Sequence, residues 1–173
     1  KGAKTMVVGV ANAGGVLPDH WISEIVAALD AGLDVATGLH RRLGSIPEIA
    51  AAAARHGRKL HDVRFSDISF ATGKGTKRPG RRLLTVGTDC SVGKKYTALA
   101  MEREMRRLGL NAEFRATGQT GVLISGRGIA IDAVVADFIA GAAEWISPDN
   151  EPDHWDVIEG QGSLFHPSFS GVT

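Results

Sequence analysis

The sequence predicts an α/β fold made of two successive parallel sheets with flanking helices. Apolar segments of strand length alternate with longer amphipathic segments, which is the order expected of right-handed βαβ units. In the middle of the chain a short apolar strand enters a glycine-bounded loop, and that loop leads into a helix that opens with two lysines. A stretch rich in glycine, proline and basic residues precedes this loop and divides the pattern in two.

The first part, residues 1–71, is predicted to be a Rossmann-like domain. Its pattern predicts strands at 5–10, 34–39 and 62–65, and helices at 21–31 and 45–57. The first helix carries apolar residues on one face and ends at Gly32. The second has Pro47 near its first turn and ends near Gly57, the positions at which proline and glycine favour a helix boundary.

The first strand is followed by a near match to the dinucleotide-binding fingerprint. Gly9, Ala11 and Gly14 have the spacing of that motif, but the second strand ends in Gly38-Leu39-His40, without the acidic residue that would bind a ribose. NAD binding is therefore not predicted. Asn12 lies at the carboxyl end of a strand, where ligands of α/β folds bind, and is a candidate for substrate contact.

Residues 72–82 are predicted to be a solvated basic linker. Glycine, proline, lysine and arginine dominate the segment, and no aromatic residue stands among the charges. The net charge of the whole chain is only +1, so neither the segment nor the chain as a whole favours nucleic-acid binding. One or two of these cations are instead expected to contact an anionic ligand in the neighbouring loop.

The second part, residues 83–173, is predicted to be a P-loop NTPase-like α/β domain. A strand at 83–86 precedes a loop and a helix that supply the candidate cofactor-binding residues: Gly87, Thr88, Asp89, Cys90, Ser91, Val92, Gly93, Lys94, Lys95, Tyr96 and Thr97. In such a loop the backbone N–H groups surround a phosphate and the lysine adds a positive charge.

Two positions depart from the motif G-x-x-x-x-G-K-[ST]. Thr88 stands at the first glycine position, with Gly87 one residue earlier, and Lys95 stands where magnesium-binding loops have serine or threonine. A loop without that hydroxyl can bind a diphosphate but is poorly equipped to hydrolyse a nucleoside triphosphate.

The remaining elements of this part bring polar residues to the same sheet edge. We predict a helix at 94–108 with Ala98, Met101, Met105 and Leu108 in the core, strands at 111–116 and 155–158, and a helix at 130–145. Glu159 ends the last strand, and an acidic residue at such a strand tip faces the phosphates in P-loop folds. Asp137, which interrupts an apolar stretch, and His166 are further candidates for acid–base chemistry.

Composition limits the setting in which the protein works. A single cysteine excludes an internal disulfide framework, and neither a signal peptide nor an apolar run of membrane-spanning length is evident. We therefore expect a cytoplasmic protein without membrane partners. The chain starts at Lys1 without an initiator methionine and stops without a closing element, so both domains are expected to be truncated.

Several segments carry a resemblance to known families. The loop from Gly87 to Lys94 is similar to that of dethiobiotin synthetase-like P-loop proteins. Nearly the whole chain resembles a bacterial and archaeal family long labelled a domain of unknown function, through the segments 9–15, 87–94, 117–121, 125–128 and 159–163. That family pairs a Rossmann-like N-terminal domain with a P-loop domain in chains that are longer at both ends.

One branch of this family is a D-glutamate N-acetyltransferase, and the resemblance implies that activity here. Acetyl-CoA would then be the cosubstrate, with its phosphates on the P-loop. The candidate base is Glu159, His166 or Asp137, and no metal is expected. The acidic amino acid would be bound by residues that include two arginines suited to carboxylates: Asn12, Arg115, Thr117, Gln119, Thr120, Arg127, Gln161 and Ser163. We also expect a homo-oligomer.

Two other functions remain open. The first is an ATP- and magnesium-dependent ligase of the dethiobiotin synthetase type, in which Thr97, Asp89 or Glu159 would hold the metal. The second is a nucleotide-binding regulator without chemistry of its own. Binding of coenzyme A rather than ATP with Mg²⁺ separates the acetyltransferase from the ligase, and turnover separates both enzymes from the regulator.

Overall fold

A computed structural model provides the structure of the chain and describes residues 2–10, 12, 16–167 and 169. The chain divides into two compact units, Lys1–Phe65 and Ser66–Thr173. Each unit contains a three-stranded parallel sheet with helices, so the predicted α/β class is confirmed. The division falls a few residues before the basic segment 72–82.

The first unit alternates strands and helices as predicted. Its elements are β1 (Thr5–Val8), α1 (Asp19–Asp30), β2 (Asp34–Thr37), a 3₁₀ turn (Leu43–Ser45), α2 (Pro47–His56) and β3 (Leu60–Asp62). The strands are in the order β1-β2-β3, with Val35 opposite Met6 on one side and Leu60 on the other. The two helices pack their apolar faces on this sheet around Ile25, Leu29 and Ile49, which are almost completely buried.

The third strand lies earlier than the sequence pattern predicts. Residues 62–65 were expected to form it, but the ladder runs through Leu60–Asp62. The chain turns after Asp62, whose carbonyl accepts a hydrogen bond from Phe65 N, and Arg64 turns inward so that its Nε donates to Gly38 O at 2.7 Å. The pairing with β2, which the alternation of apolar residues does not reveal, sets the strand boundary.

The second unit places its last strand in the middle of the sheet. Its elements are β4 (Arg81–Leu84), α3 (Lys94–Arg107), β5 (Ala112–Arg115), α4 (Gln119–Ser125), α5 (Ile139–Ile146) and β6 (Trp155–Ile158). The strand order is β4-β6-β5, with Ile158 opposite both Leu84 and Arg115. The helix α3 packs on Phe114 and Val157, and the alternate side chains Leu84 and Ile158 line a cavity beside α5.

The helix predicted at 130–145 is wrong in its first half. Residues 131–133 and 136–138 form 3₁₀ turns, and only Ile139–Ile146 is α-helical. Ile129 N donates to Ala116 O and Ile131 N to Thr117 O, which holds this segment along the end of β5. Val134 and Val135 are extended, and β-branched residues lose side-chain freedom in a helix.

Two other expectations about elements are also corrected. The helix α4 follows β5 in a part of the chain for which no helix was predicted. Leu108, predicted to be a core residue, is 63% exposed at the end of α3. A residue at a helix terminus can keep the apolar periodicity of the helix while its side chain lies beyond the sheet that the helix covers.

The basic segment 72–82 is mostly exposed, and it is hydrogen-bonded to α5 and to the turn that follows α5. Lys74 N and Gly75 N donate to the carboxylate of Glu144 on α5. Arg78 Nε donates to Ser147 O at 2.9 Å, and Arg82 Nη2 donates to Pro148 O at 2.7 Å. Carbonyl groups at a helix C-terminus lack intrahelical partners and attract cations, which explains why this segment binds the end of α5.

Candidate phosphate-binding site

The loop between β4 and α3 has the backbone of an anion-binding loop. Gly93, which immediately precedes α3, has φ 98°. Ser91 has φ 57° and is the only residue other than glycine with a positive φ among the described residues. The Asp89 carboxylate accepts a hydrogen bond from Cys90 N at 2.7 Å, which stabilises the turn. The first N–H groups of α3 have no partner within the helix and, together with the helix dipole, favour an anion at this point.

Gly87 occupies the position at which a side chain cannot fit. A Cβ atom there would lie 2.6 Å from Val92 Cγ2 and 3.3 Å from Lys94 Cδ. The loop therefore needs its first glycine at Gly87, one residue before the motif position taken by Thr88. The departure that the sequence shows at Thr88 is a one-residue shift of the loop, and the tight turn itself is retained.

A second segment, residues 162–166, forms a wall against the loop. Lys94 Nζ bridges the two segments by donating to Asp89 O at 3.0 Å and Gly162 O at 2.7 Å. Ser163, which is fully buried, donates its hydroxyl to Thr88 O at 2.9 Å and accepts from His166 N at 2.8 Å. These hydrogen bonds hold the Ser163 side chain within the wall.

Between the loop and the tip of β6 lies a cleft of about 450 Å³, which we call the loop cleft. Its lining carries the side chains of two lysines and one carboxylate, Lys94, Lys95 and Glu159. The complete lining is Cys90, Ser91, Gly93, Lys94, Lys95, Tyr96, Glu159, Gly160, Gln161 and Gly162. The predicted cofactor loop and the predicted strand-tip acid are therefore neighbours in one cleft.

Glu159 is held in place by the start of α4. Its Oε2 atom accepts hydrogen bonds from Thr117 N at 3.0 Å and Gly118 N at 3.1 Å, and only 4% of the residue is exposed. Burial raises the pKa of the Glu159 carboxyl above its usual value. The two backbone N–H groups, the Lys95 charge and the Gln161 amide act in the opposite direction without cancelling this effect.

Gly160 is required by the packing of the strands. A Cβ atom at this position would overlap Thr85 O, and Gly160 N donates to Thr85 Oγ1 at 3.0 Å. At Gly160 the space that a side chain would occupy is taken by the start of the segment that follows β4. Sequence reasoning missed Thr85, although a hydroxyl that ends an apolar strand beside the loop is a usable signal.

A second cavity of about 250 Å³ lies next to the loop cleft and shares the strand tip 159–161 with it. Its walls are almost entirely aliphatic and come from β4 and the residues after it, β6, α5 and a 3₁₀ turn: Leu84, Val86, Ile131, Ile139, Ala143, Ile146 and Ile158. Sequence analysis did not predict this cavity, because part of its lining comes from the segment 131–146, in which a continuous helix was expected.

The two arginines predicted to bind substrate carboxylates are already paired with carboxylates of the chain. Arg115 Nε lies 2.6 Å from Asp156 Oδ1, and its Nη2 lies 2.9 Å from Glu113 Oε2. Arg127 forms an ion pair with Glu113 as well. Both arginines line a separate cavity of about 210 Å³ and are not among the residues that line the loop cleft.

The other predicted site residues divide between the cleft and its surroundings. Gln161 lines the loop cleft, and Thr117 is buried beside it with its N–H on Glu159. The first two residues of α4 are Gln119 and Thr120. Thr97 is exposed on the first turn of α3 and does not line the cleft.

Two of the three candidate bases lie away from the cleft lining. His166 is the last residue of the wall, and its ring packs on Phe169 with 4.7 Å between ring centroids. Asp137 is exposed in the 3₁₀ turn Ala136–Phe138 and lines neither cavity of the strand tip. In the first unit, Asn12 Nδ2 donates to Val16 O at 3.0 Å. Three neighbours of Asn12 in the near match to the dinucleotide motif, Ala11, Ala13 and Gly14, fall outside the described residues.

The part of the chain that the structure describes contains neither a cluster of metal-ligating side chains nor a membrane-spanning helix. Among these residues, no group of three or more His, Cys, Asp or Glu side chains is placed so that it could hold a metal ion. No helix formed by them is both long enough and apolar enough to cross a membrane.

Comparison with known proteins identifies both units. Residues 1–66 match the model of a domain of unknown function described as a Rossmann-like domain (DUF1611_N), and residues 69–173 match the model described as a P-loop domain (DUF1611_C). A crystal structure of a DUF1611 family protein from Anabaena variabilis has a TM-score of 0.88 and 40% sequence identity. That match covers 98% of this chain and 49% of the other.

Two curated relatives are similar over 172 residues. A D-glutamate N-acetyltransferase from Tritonibacter scottomollicae is 58% identical, and one from Pseudoalteromonas sp. is 55% identical. In both cases the match covers 99% of this chain and 52% of the relative. The chain thus spans about half the length of the curated relatives it matches.

Proposed function

We propose that this chain, which belongs to the DUF1611 family of P-loop proteins, forms the phosphate-binding part of an N-acetyltransferase. The reaction would transfer acetyl from acetyl-CoA to the amino group of an acidic amino acid, D-glutamate in the first instance. The names of the two relatives at 55–58% identity support this choice. The expected setting is a cytoplasmic homo-oligomer, which cell fractionation and light scattering would test.

The observation that carries the proposal is the loop cleft with Lys94, Lys95 and Glu159 on its walls. Coenzyme A carries a diphosphate and a 3′-phosphate, and acetyl transfer leaves these phosphates intact. A loop that binds phosphate but has lysine where magnesium-binding loops have a hydroxyl suits such a ligand better than a nucleotide that must be hydrolysed. Thr97 is exposed and does not line the cleft, which also argues against the magnesium-dependent ligase, in which Thr97 was a candidate metal ligand.

Glu159 is the carboxylate suited to act as the general base. The amino acid must lose a proton from its ammonium group before the nitrogen attacks the thioester carbon. Glu159 takes this first proton. The C–N bond then forms and the C–S bond breaks, and the second proton that the nitrogen loses passes to the departing thiolate, so that coenzyme A leaves as the thiol. Because burial raises the pKa of Glu159, the carboxylate is a better proton acceptor than an exposed glutamate.

Calorimetry with the Lys94→Ala variant tests the phosphate site. Wild-type protein is expected to bind coenzyme A, and Lys94→Ala to lose this binding, because the ammonium at the start of α3 would no longer balance the phosphates. The variant should remain folded with a modestly lower melting temperature, because it also loses the two hydrogen bonds from the Lys94 ammonium to Asp89 O and Gly162 O. Equal affinity in both proteins would refute the phosphate-binding loop.

A turnover assay then tests the chemistry. Acetyl-CoA with D-glutamate is expected to yield N-acetyl-D-glutamate and free coenzyme A, with L-glutamate as the matched control for chirality. If instead ATP with Mg²⁺ binds and is consumed while coenzyme A does not bind, the ligase is the correct reading. Binding without any turnover, in a preparation of full-length protein, would favour the regulator.

A further inference from the structure

Lys95 is a cation in the loop cleft that is not bound by a carboxylate. Its side chain is half-buried and lines the cleft, and its ammonium lies 4.9 Å from the centroid of the Tyr96 ring. Within the described residues no carboxylate forms an ion pair with it. The positive charge of Lys95 acts electrostatically on Glu159, which lines the same cleft, and opposes the rise in the pKa of that carboxyl.

Lys94 is differently engaged. Two of the three donors of its ammonium are directed at carbonyl oxygens of the chain, Asp89 O and Gly162 O. Lys94 therefore joins the loop to the wall 162–166, and it brings only part of its hydrogen-bonding capacity to a ligand. Among the described residues, no hydrogen bond within the chain engages the Lys95 ammonium, so all three of its donors can serve a ligand.

We propose that Lys95 takes the place of a divalent cation in the loop cleft, so that its ammonium binds the phosphate oxygens of the ligand directly. In magnesium-dependent loops the residue at this position offers a hydroxyl to the metal, and the metal bridges the phosphates. Here the side chain at the same position supplies the positive charge. This proposal rests on the proposed function, in that the ligand is a phosphorylated cosubstrate.

The charges on the cleft agree with this substitution. Lys94, Lys95 and the N-terminus of the fourteen-residue helix α3 contribute positive charge to the cleft, against the carboxylate of Glu159 on the same lining. A divalent ion placed next to the Lys95 ammonium would be repelled by it, so the lysine and the metal exclude one another.

The test measures binding of coenzyme A and of inorganic pyrophosphate by calorimetry, in EDTA and in Mg²⁺. Wild-type protein is expected to bind both ligands in EDTA. Lys95→Ser should lose at least tenfold in affinity in EDTA, about 1.4 kcal/mol, and should regain affinity when Mg²⁺ is added, because the serine restores a metal-binding hydroxyl. Lys95→Gln should show the same loss without recovery, and Lys95→Arg should bind in EDTA like wild type.

Arg103→Ser is the matched control. It removes one positive charge from the exposed surface of the same helix, far from the cleft, and should leave both affinities unchanged. Unchanged affinity of Lys95→Ser in EDTA would overturn the proposal. A strict Mg²⁺ requirement in wild type, or a loss in Lys95→Ser that Mg²⁺ does not reverse, would also overturn it. Pyrophosphate binding that depends on Lys95 in a protein that does not bind coenzyme A would support Lys95 and refute the proposed cosubstrate.

Discussion

Glu159 combines a structural role with a proposed chemical one in a single carboxylate. One of its oxygens accepts two backbone N–H groups at the start of α4, while the residue as a whole lines the loop cleft. Substitution by alanine would leave Thr117 N and Gly118 N buried without an acceptor, at a cost of about 1–3 kcal/mol in unfolding free energy for each unsatisfied group. Alanine therefore cannot separate the two roles.

Glutamine separates them, because it keeps a carbonyl oxygen for the two N–H groups and lacks a proton acceptor of useful strength. We expect Glu159→Gln to retain its melting temperature and its affinity for coenzyme A, and to lose about 10²–10⁴-fold in turnover. Its residual rate should rise with pH as the free amine accumulates. Steady-state kinetics checks this, with His166→Ala as the control. Normal turnover in Glu159→Gln together with a loss in His166→Ala would assign the base to His166.

The raised pKa of Glu159 has a definite consequence for stability. A carboxyl with a folded-state pKa above its unfolded value favours the folded state most when both states are protonated. That contribution is lost as the pH rises from the unfolded value through the folded one. Glu159→Gln carries no such group, so its stability relative to wild type should increase across this window and then level off.

Chemical denaturation of both proteins at a series of pH values measures the difference. The Lys95 charge that acts on the carboxyl is present in both proteins, so the comparison isolates the contribution of the Glu159 carboxyl itself. A difference that is constant with pH would show that burial does not raise the pKa of Glu159.

Among the elements, β5 and β6 are joined by a buried polar cluster around Asp156. This residue is completely buried, and its carboxylate accepts from Arg115 Nε at 2.6 Å, Asn150 Nδ2 at 3.1 Å and a ring nitrogen of His154 at 3.2 Å. A buried carboxylate is tolerated when donors satisfy its oxygens, as they do here. The cluster ties the start of β6, the central strand, to the end of β5.

We expect Asp156→Ala to destabilise the second unit by about 3–5 kcal/mol, because it leaves the Arg115 guanidinium buried without its main partner. The matched control is Arg127→Ala, which removes an exposed ion pair with Glu113 and should cost less than about 1 kcal/mol. Thermal or denaturant unfolding provides the measurement.

A third variant, Arg115→Ala, examines the predicted role of Arg115 in binding substrate when its unfolding and its KM are both measured. If Arg115→Ala folds with wild-type stability and raises KM for the amino acid alone, Arg115 contacts the substrate. If it unfolds like Asp156→Ala, the guanidinium belongs to the cluster between the strands.

Elements that depend on local pattern were predicted well, and those that depend on distant partners were not. The order of strand, loop and helix around Gly93 could be read from sequence, since the glycine, the lysines and the apolar strand are contiguous. The break in the helix predicted at 130–145 could not, because it depends on hydrogen bonds from residues 129 and 131 to the end of β5. The 3₁₀ turns and α4 are also short elements that depend on distant partners.

The site was predictable to the same extent. The loop and Glu159 end adjacent strands of a parallel sheet, and such ends meet at one edge, so their common cleft followed from topology alone. Side-chain partners do not follow from topology. Sequence placed Arg115 and Ser163 among the substrate contacts, yet each has partners in the chain that only the folded structure reveals.

At the scale of the whole molecule, each unit has its own hydrophobic core and its own sheet. The residues of the loop cleft all belong to the second unit. Residues 66–173 expressed alone are therefore expected to fold cooperatively and to bind inorganic pyrophosphate with the affinity of the 173-residue chain. Lys94→Ala in the same fragment is the control.

Calorimetry and circular dichroism of the fragment check this expectation. A folded fragment that fails to bind pyrophosphate would mean that the first unit contributes to the cleft, and Asn12 would then be the first residue to examine there. An unfolded fragment would mean that the core around α3 is too small to be stable alone.

Tyr96 offers a direct view of the loop cleft, because it is the only tyrosine among the 173 residues. Its ring borders the cleft and lies beneath the Lys95 ammonium. Protein grown with ¹³C-labelled tyrosine will consequently give one set of aromatic signals in a magnetic resonance spectrum, and all of them will come from this cleft. A titration with coenzyme A can then be followed at the binding site in the native sequence, without an attached dye or an introduced label.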